Sequence, residues 1–211
     1  MEIERPRLSK SLLETKLRAI PIDEDPEILN VSLKDEEIIE AHHPRLRISN
    51  VVFTNCTFTE SEFIKADWSD VRFENCDLSN VTLKDAALHR VEFINCKLTG
   101  IDFSDATLKN VHWEQSMLPY ALFGDCKMEN HAFIDCDLSF AYFYNCEFKH
   151  VALERCQLNE ASFEDTKLKG LDLSTCSFDT MKVSMDDLRG CEVSPHQAIQ
   201  FASLIGLVVK D

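Results

Sequence analysis

The chain has 211 residues and a formal net charge of −15, from 37 acidic against 22 basic side chains. That length suits one domain, and the acidity excludes nucleic-acid binding by counterion release while favouring a basic protein surface as partner. No apolar run reaches the length of a membrane span, and the charged start Met1-Glu2-Ile3-Glu4-Arg5 is not that of a secretory signal, so a cytoplasmic chain with reduced thiols is expected.

Residues 1–45 read as an amino-terminal arm and cap. Leu8, Leu12, Leu13 and Leu17 have helical spacing, which predicts either a short helix or an ordered arm. Pro21 and Pro26, with Asp23, Glu24 and Asp25 between them, mark a loop. From Ile28 to His43 two readings stand: a helix capped by Ser32 and running through Glu40, or a hairpin. Either would cover the open end of the segment that begins at Leu46.

Residues 46–193 repeat every five residues without a break. Stepping from Phe53 gives Phe58, Phe63, Trp68, Phe73, Leu78 and so on to Val193, all large and apolar. Two residues before each stands a small or β-branched residue, such as Val51, Cys56, Ser61 and Ala66. Five is neither the helix nor the strand period. It requires a short extended piece and a corner, repeated. Four pieces close a square turn, so like residues should recur at twenty. They do: Val51, Val71, Val91, Val111 and Val151 form one column, and Cys56, Cys76, Cys96, Cys136, Cys156 and Cys176 another, with Ser116 in its gap. The expected fold is an all-β solenoid.

The nine cysteines occupy the small inward position, where free thiols pack as small hydrophobes. Cys126, His131, Cys136 and Cys146 have the composition of a Cys₃His zinc set but not a finger spacing, and His131 takes a valine's place in its column. Plain packing is the expectation, with no metal and no cofactor. No phosphate loop or nucleophile motif occurs, and a filled solenoid offers no cleft, so no catalytic residue is assigned.

Two groups of outward residues depart from the polar pattern. Tyr120 and Phe140 share a corner column; Leu122 and Tyr142 share the next column, and Gly124 and Tyr144 the one after, with Met117 and Pro119 adjoining. Such a patch marks a contact surface or, alternatively, aromatic pairing that stabilises the sheet. Asp85, Asp105, Asp125 and Asp165 stack in one column with Asn145 among them. They serve either partner attraction or turn corners, and Lys127 and Lys167 are expected to relieve their repulsion.

Residues 194–211 form the clearest helix signal. Ser194 reads as N-cap, Pro195 as the first helical residue, Gln197 as the capping-box partner and Gly206 as the stop. Apolar residues lie almost all round. Ile199, Phe201, Ala202, Leu204, Ile205 and Val208 are expected to close the last coil and to form a two-fold dimer interface.

Motifs such as Cys76-Asp77-Leu78-Ser79-Asn80 and Ile101-Asp102-Phe103-Ser104-Asp105 resemble the pentapeptide-repeat pattern. That resemblance implies a right-handed quadrilateral β-helix. The ending Leu168-Lys169-Gly170-Leu171-Asp172-Leu173, then Asp187-Leu188-Arg189-Gly190, then a helix and Gly206-Leu207-Val208-Val209 is similar to the Qnr/MfpA type, most of all to the chromosomal Qnr-like proteins of Gram-positive bacteria. The resemblance implies a non-enzymatic homodimer that mimics duplex DNA, binds DNA gyrase and topoisomerase IV, and protects them from quinolones. The loops that many plasmid-type members carry are missing, because the register never breaks. About seven coils at about 4.8 Å each make a rod near 35 Å. Other readings are a generic acidic interaction scaffold and an immunity protein against a gyrase-poisoning toxin.

Overall fold

The computed structural model describes residues 3–17 and 26–210, and the loop expected at Pro21 to Asp25 lies outside them. The chain is a parallel β-solenoid of about seven turns followed by one short helix. Its strands are β1 (Leu13–Thr15), β2 (Glu27–Leu29), β3 (Val31–Lys34), β4 (Glu37–Ile39), β5 (Arg47–Thr54), β6 (Thr57–Thr59), β7 (Asp67–Glu74), β8 (Ala87–Ile94), β9 (Thr107–Glu114), β10 (Lys127–Ile134) and β11 (Glu147–Glu154). Partners lie twenty residues apart along the repeats, for example Phe53 on Phe73 and Phe73 on Phe93.

The corner has a single backbone device. Nearly every fifth residue from Asn30 to Gly170 adopts a left-handed conformation, with φ between about 49° and 81°. Asn, Asp and Gly tolerate that region best, and they fill most of these positions. At Gly100 (φ 67°) a side chain is also excluded sterically, since a Cβ would stand 2.6 Å from Asn80 Oδ1. Between corners, alternate residues point inward. Phe53, Phe73, Phe93, Trp113 and Phe133 stack face to face at centroid distances of 4.1–5.6 Å. A second stack runs Phe103, Phe123, Phe143, Phe163 at 4.8–5.4 Å.

The solenoid starts earlier than the boundary at Leu46. Glu27 pairs with Arg47 and Leu33 with Phe53, both in parallel. The segment from Ile28 to His43 is therefore neither helix nor hairpin but a further coil. Ile28, Leu33 and Ile38 stand on the five-residue register and are buried, while Asn30, Asp35 and Glu40 turn its corners. Leu8 to Lys16 form no helix either. Residues 3–12 are an ordered arm, and β1 pairs in parallel with β3 at the open end of the sheet.

On two of the four faces the ladder is interrupted once. No backbone hydrogen bond joins β11 to residues 167–174, although the same turns remain paired at Gln157–Ser177 and Ser162–Lys182. Thr166 Oγ1 and Thr175 Oγ1 accept the N–H groups of Cys146 and Arg155 instead, at 2.9 and 3.1 Å. Phe148 and Val151 are consequently half-buried, whereas their counterparts Met128 and His131 are fully buried.

Candidate interaction surface

The faces follow from the register. One face carries residues 61–64 and their equivalents at every twentieth position, between a corner at 60, 80, 100, 120, 140 and a corner at 65, 85, 105, 125, 145. Leu122, Gly124, Tyr142 and Tyr144 point outward from this face. Tyr120 and Phe140 form its first corner, and the aspartate column forms its second. The structure thus brings the two outward groups together: an aromatic strip bounded on one side by acids.

Tyr120 and Phe140 stack at 4.8 Å, and Tyr142 and Tyr144 at 5.7 Å. All four are exposed, Tyr120 to 55% and Phe140 to 45%. The corner pair both hold φ at 61°, where the same column elsewhere has Asn80, Gly100 and Glu160. A bulky side chain in the left-handed region costs about 1–2 kcal/mol per residue. Stacking of one aromatic pair returns about 0.5–1.5 kcal/mol. That corner cost is shared by Glu60 and Glu160 in the same column, so what sets this pair apart is its exposed aromatic surface.

Asp85, Asp105, Asp125 and Asp165 hold φ at 57°, 64°, 58° and 57°. Their residue type answers first to the corner, which Asp tolerates. Asn145 Nδ2 donates to Asp125 Oδ1 at 2.6 Å, and the Asp165 charge beside Tyr144 raises the phenol's pKa. Of the two lysines, Lys167 has its pKa raised first by Asp187 and in smaller part by the Asp165 charge, but direct pairs form elsewhere. Lys167 pairs with Asp187 at 2.8 Å and Lys127 with Glu147 at 4.0 Å, so neither bridges to the column.

The zinc-like residues do not converge. Among the described residues no three His, Cys, Asp or Glu side chains come together as a metal set. Cys126 and Cys146 donate to the carbonyls of Phe103 and Phe123 at 2.9 and 2.7 Å. His131 Nε2 accepts the indole N–H of Trp113 at 2.6 Å. Burial pushes the Cys146 thiol up to about 12.

The helix α1 (Pro195–Phe201) has the expected capping box: Ser194 accepts from the Gln197 N–H, and the Gln197 side chain accepts from the Ser194 N–H. A 3₁₀ turn, Ala202–Ile205, follows and stops at Gly206 with φ 76°. Gln197 Nε2 donates to the carbonyls of Leu173 and Cys176 at 2.8 and 2.9 Å, which anchors the helix to the last coil. Phe201 packs on Phe178 at 5.4 Å, and Ala202 is half-buried. Ile199, Leu204, Ile205 and Val208 are exposed, Val208 to 84%. The six interface residues thus divide: Phe201 and Ala202 lie partly buried in the chain's own fold, and four side chains stand free.

Sequence reasoning missed the ground on which the arm lies. The arm runs along the corner column of Asn50, Asp70, Arg90 and Asn110, diagonally across the solenoid from Tyr120 and Phe140. Arg5 Nη1 meets Glu92 Oε1 at 2.7 Å, and Arg72 Nε meets Glu92 Oε2 at 2.6 Å. Glu92 and Asn110 are buried polar residues at outward positions, and only a covering segment explains that. Burial works to raise the Asp70 pKa, but the Arg90 guanidinium and the Arg7 N–H outweigh it and hold it below the usual carboxylate range. No helix among the described residues is long and apolar enough to cross a membrane.

A model of the pentapeptide repeat region matches residues 46–123, 66–138 and 126–197. A search of curated proteins finds no sequence match. Among solved structures, the chain is similar to HetL, a pentapeptide repeat protein involved in heterocyst differentiation regulation from the cyanobacterium Nostoc sp. Strain PCC 7120. The identity is 14% and the TM-score 0.50, over 84% of this chain and 87% of that one. A trypsin-treated QnrB1, a plasmid-mediated fluoroquinolone resistance protein, aligns at 15% identity and TM-score 0.48 over 95% of this chain and 100% of that one. Likeness at such identities speaks for the fold alone. With family matches running from 46 to 197 over coils that close every twenty residues, the chain belongs to the pentapeptide-repeat family.

Proposed function

We propose that the chain is a non-enzymatic binding protein whose acidic rod engages a type II topoisomerase, DNA gyrase or topoisomerase IV, in place of duplex DNA, and so protects it from quinolones. The strip of Tyr120, Leu122, Phe140, Tyr142 and Tyr144 is the anchor. The observation that carries this reading is the strip itself: Tyr120, Phe140, Tyr142 and Tyr144 stand exposed together beside an acidic column. Side chains of that kind serve a surface rather than the fold. The choice of partner rests on the Qnr-type ending of the sequence and on the net charge of −15.

Charge alone does not select. An acidic rod is attracted to any basic surface, and salt screens that attraction within about 10 Å at 0.1 M. Its charge is also sparser than the one per ~1.7 Å of duplex DNA. Selectivity therefore needs a desolvated contact, and aromatic residues are the usual anchors. Asp85, Asp105, Asp125 and Asp165 set the encounter rate and its salt dependence.

The free side chains Ile199, Leu204, Ile205 and Val208 join two copies into a rod of twice the length, in our reading. The test is supercoiling by purified gyrase, with and without ciprofloxacin, as the protein is titrated in. Recovery of supercoiling in the presence of drug is the expected result. No effect on gyrase or topoisomerase IV at any concentration would leave an acidic scaffold for some other partner.

A further inference from the structure

The arm's ground is unlike the other corners. At the next corner the side-chain amides satisfy one another from coil to coil, as Asn95 Nδ2 does on Asn75 Oδ1 at 2.7 Å. In the column of Asn50, Asp70 and Asn110 coil-to-coil bonds also run, as Asn50 Nδ2 to Asn30 Oδ1 at 2.7 Å, but one oxygen on each of the three takes a backbone N–H of the arm. Asn50 Oδ1 accepts the N–H of Ser9 at 2.8 Å, Asp70 Oδ1 that of Arg7 at 2.8 Å, and Asn110 Oδ1 that of Glu4 at 3.3 Å. Asn50 Nδ2 also donates to Ser9 Oγ at 2.8 Å.

The coil between Asp70 and Asn110 offers Arg90, which has no acceptor and is turned on Asp70 through two bonds of 2.6 and 2.7 Å. Between Glu4 and Arg7 the arm has Arg5, whose side chain goes to Glu92 of that coil, and Pro6, which has no N–H to give. Donors and acceptors therefore match coil by coil. The reach matches too: from Asn110 to Asn50 is three coils, roughly 14 Å, and Glu4 to Ser9 covers it only when nearly extended.

Recognition of an extended backbone through its N–H groups, with one charged side chain to fix register, is how proteins bind peptides in general. Here the charged element is Glu92, buried between Arg5 and Arg72. Beside it His112 is buried with an unpartnered Nδ1, a polar atom that the arm does not satisfy. The arm itself is only half-buried or exposed, and a few side-chain bonds are all that offset the ordering of its backbone.

We propose that the column Asn50, Asp70 and Asn110, with Glu92 beside it, is a track for an extended peptide, that the amino-terminal arm is its intramolecular occupant, and that a partner segment with an arginine facing Glu92 replaces it. This surface lies diagonally opposite the aromatic strip and stands independently of the topoisomerase reading.

The test uses the full chain and a fluorescent synthetic peptide of the sequence Ile3-Glu4-Arg5-Pro6-Arg7-Leu8-Ser9-Lys10, read by anisotropy. In the natural chain the tethered arm competes at high effective concentration. Arg5→Glu in the chain turns its own arm against Glu92 and frees the track. The expected result is that the Arg5→Glu chain binds the peptide about ten-fold or more tighter than the natural chain does. Adding Glu92→Gln or Asn50→Ala should then weaken it, as should an alanine in place of Arg5 in the peptide. The proposal is overturned if Arg5→Glu binds no better than the natural chain. It is equally overturned if binding ignores Asn50→Ala and the loss of Arg5 from the peptide. Loss of thermal stability on Arg5→Glu without any gain of peptide would make the arm a fixed strap and also overturn it.

Discussion

His131 stands in a column otherwise filled by valine, and its cost depends on pH. Burial, with a smaller part from His112, lowers its pKa from 6.5 to about 3. The unfolded chain therefore takes up a proton that the folded chain refuses. Stability from this group is complete above pH 6.5 and is lost as pH falls toward 3, by about 1.4 kcal/mol for each pH unit. His131→Val removes that loss but leaves the Trp113 indole N–H without its acceptor. It also removes the buried, unpartnered His131 Nδ1, so the net change at pH 7.5 should be within about 1 kcal/mol and should turn to clear stabilisation near pH 4.5. Urea melts at the two values check this, and parallel losses would contradict it. Tyr120→Gly with Phe140→Gly should not lower the melting temperature, because relief of about 1–2 kcal/mol at each of the two corners at least matches the roughly 0.5–1.5 kcal/mol of lost stacking. At this scale the inward residues were legible from spacing alone. The corner conformation was not: Asp85, Asp105, Asp125 and Asp165 look alike whether a turn or a partner demands them, and only φ separates the two.

The interrupted ladder at β11 is the weak element of the solenoid. Its N–H groups toward residues 167–174 lack backbone partners, whereas β10 is paired on both sides. Amide exchange at Phe148 and Leu153 should be faster than at Met128 and Phe133, by at least about ten-fold. Equal protection would mean that the gap closes in solution. The other end-element, α1, is held by Gln197. Gln197→Ala leaves the Cys176 carbonyl without its Gln197 donor and the Leu173 carbonyl with the Cys176 N–H alone, and should cost about 1–3 kcal/mol in a thermal melt. The helix and its caps were legible because Ser194, Pro195, Gln197 and Gly206 each act locally. The first coil was not, because Ile28, Leu33 and Ile38 are three points only, and helix and hairpin signals compete over so short a stretch. The arm was invisible for a different reason. Its structure comes from Glu92, Asn110, Asp70 and Asn50, up to 106 residues away, and no local pattern encodes such contacts.

In the whole molecule the two ends differ. The amino-terminal end carries β1 against β3, while the carboxy-terminal helix leaves Ile199, Leu204, Ile205 and Val208 in solvent. Phe201 is a poor test of the dimer, since it also packs on Phe178. Leu204→Asp with Val208→Asp should instead give a monomer in sedimentation with the fold intact, and a dimer that survives both would place the interface elsewhere. The architecture was legible throughout the repeats because a square coil forces the same choice at every fifth residue. Partner choice was not, because the outward residues are free of that constraint.

The most direct measurement is protection of purified gyrase from ciprofloxacin by the Phe140→Ala, Tyr142→Ala double variant, run beside its thermal melt. The expected result is weakened protection at unchanged melting temperature, with binding still salt-sensitive through the aspartate column. Protection equal to that of the natural chain would contradict the anchoring role of the aromatic strip, and stability and protection lost together would make the strip part of the fold.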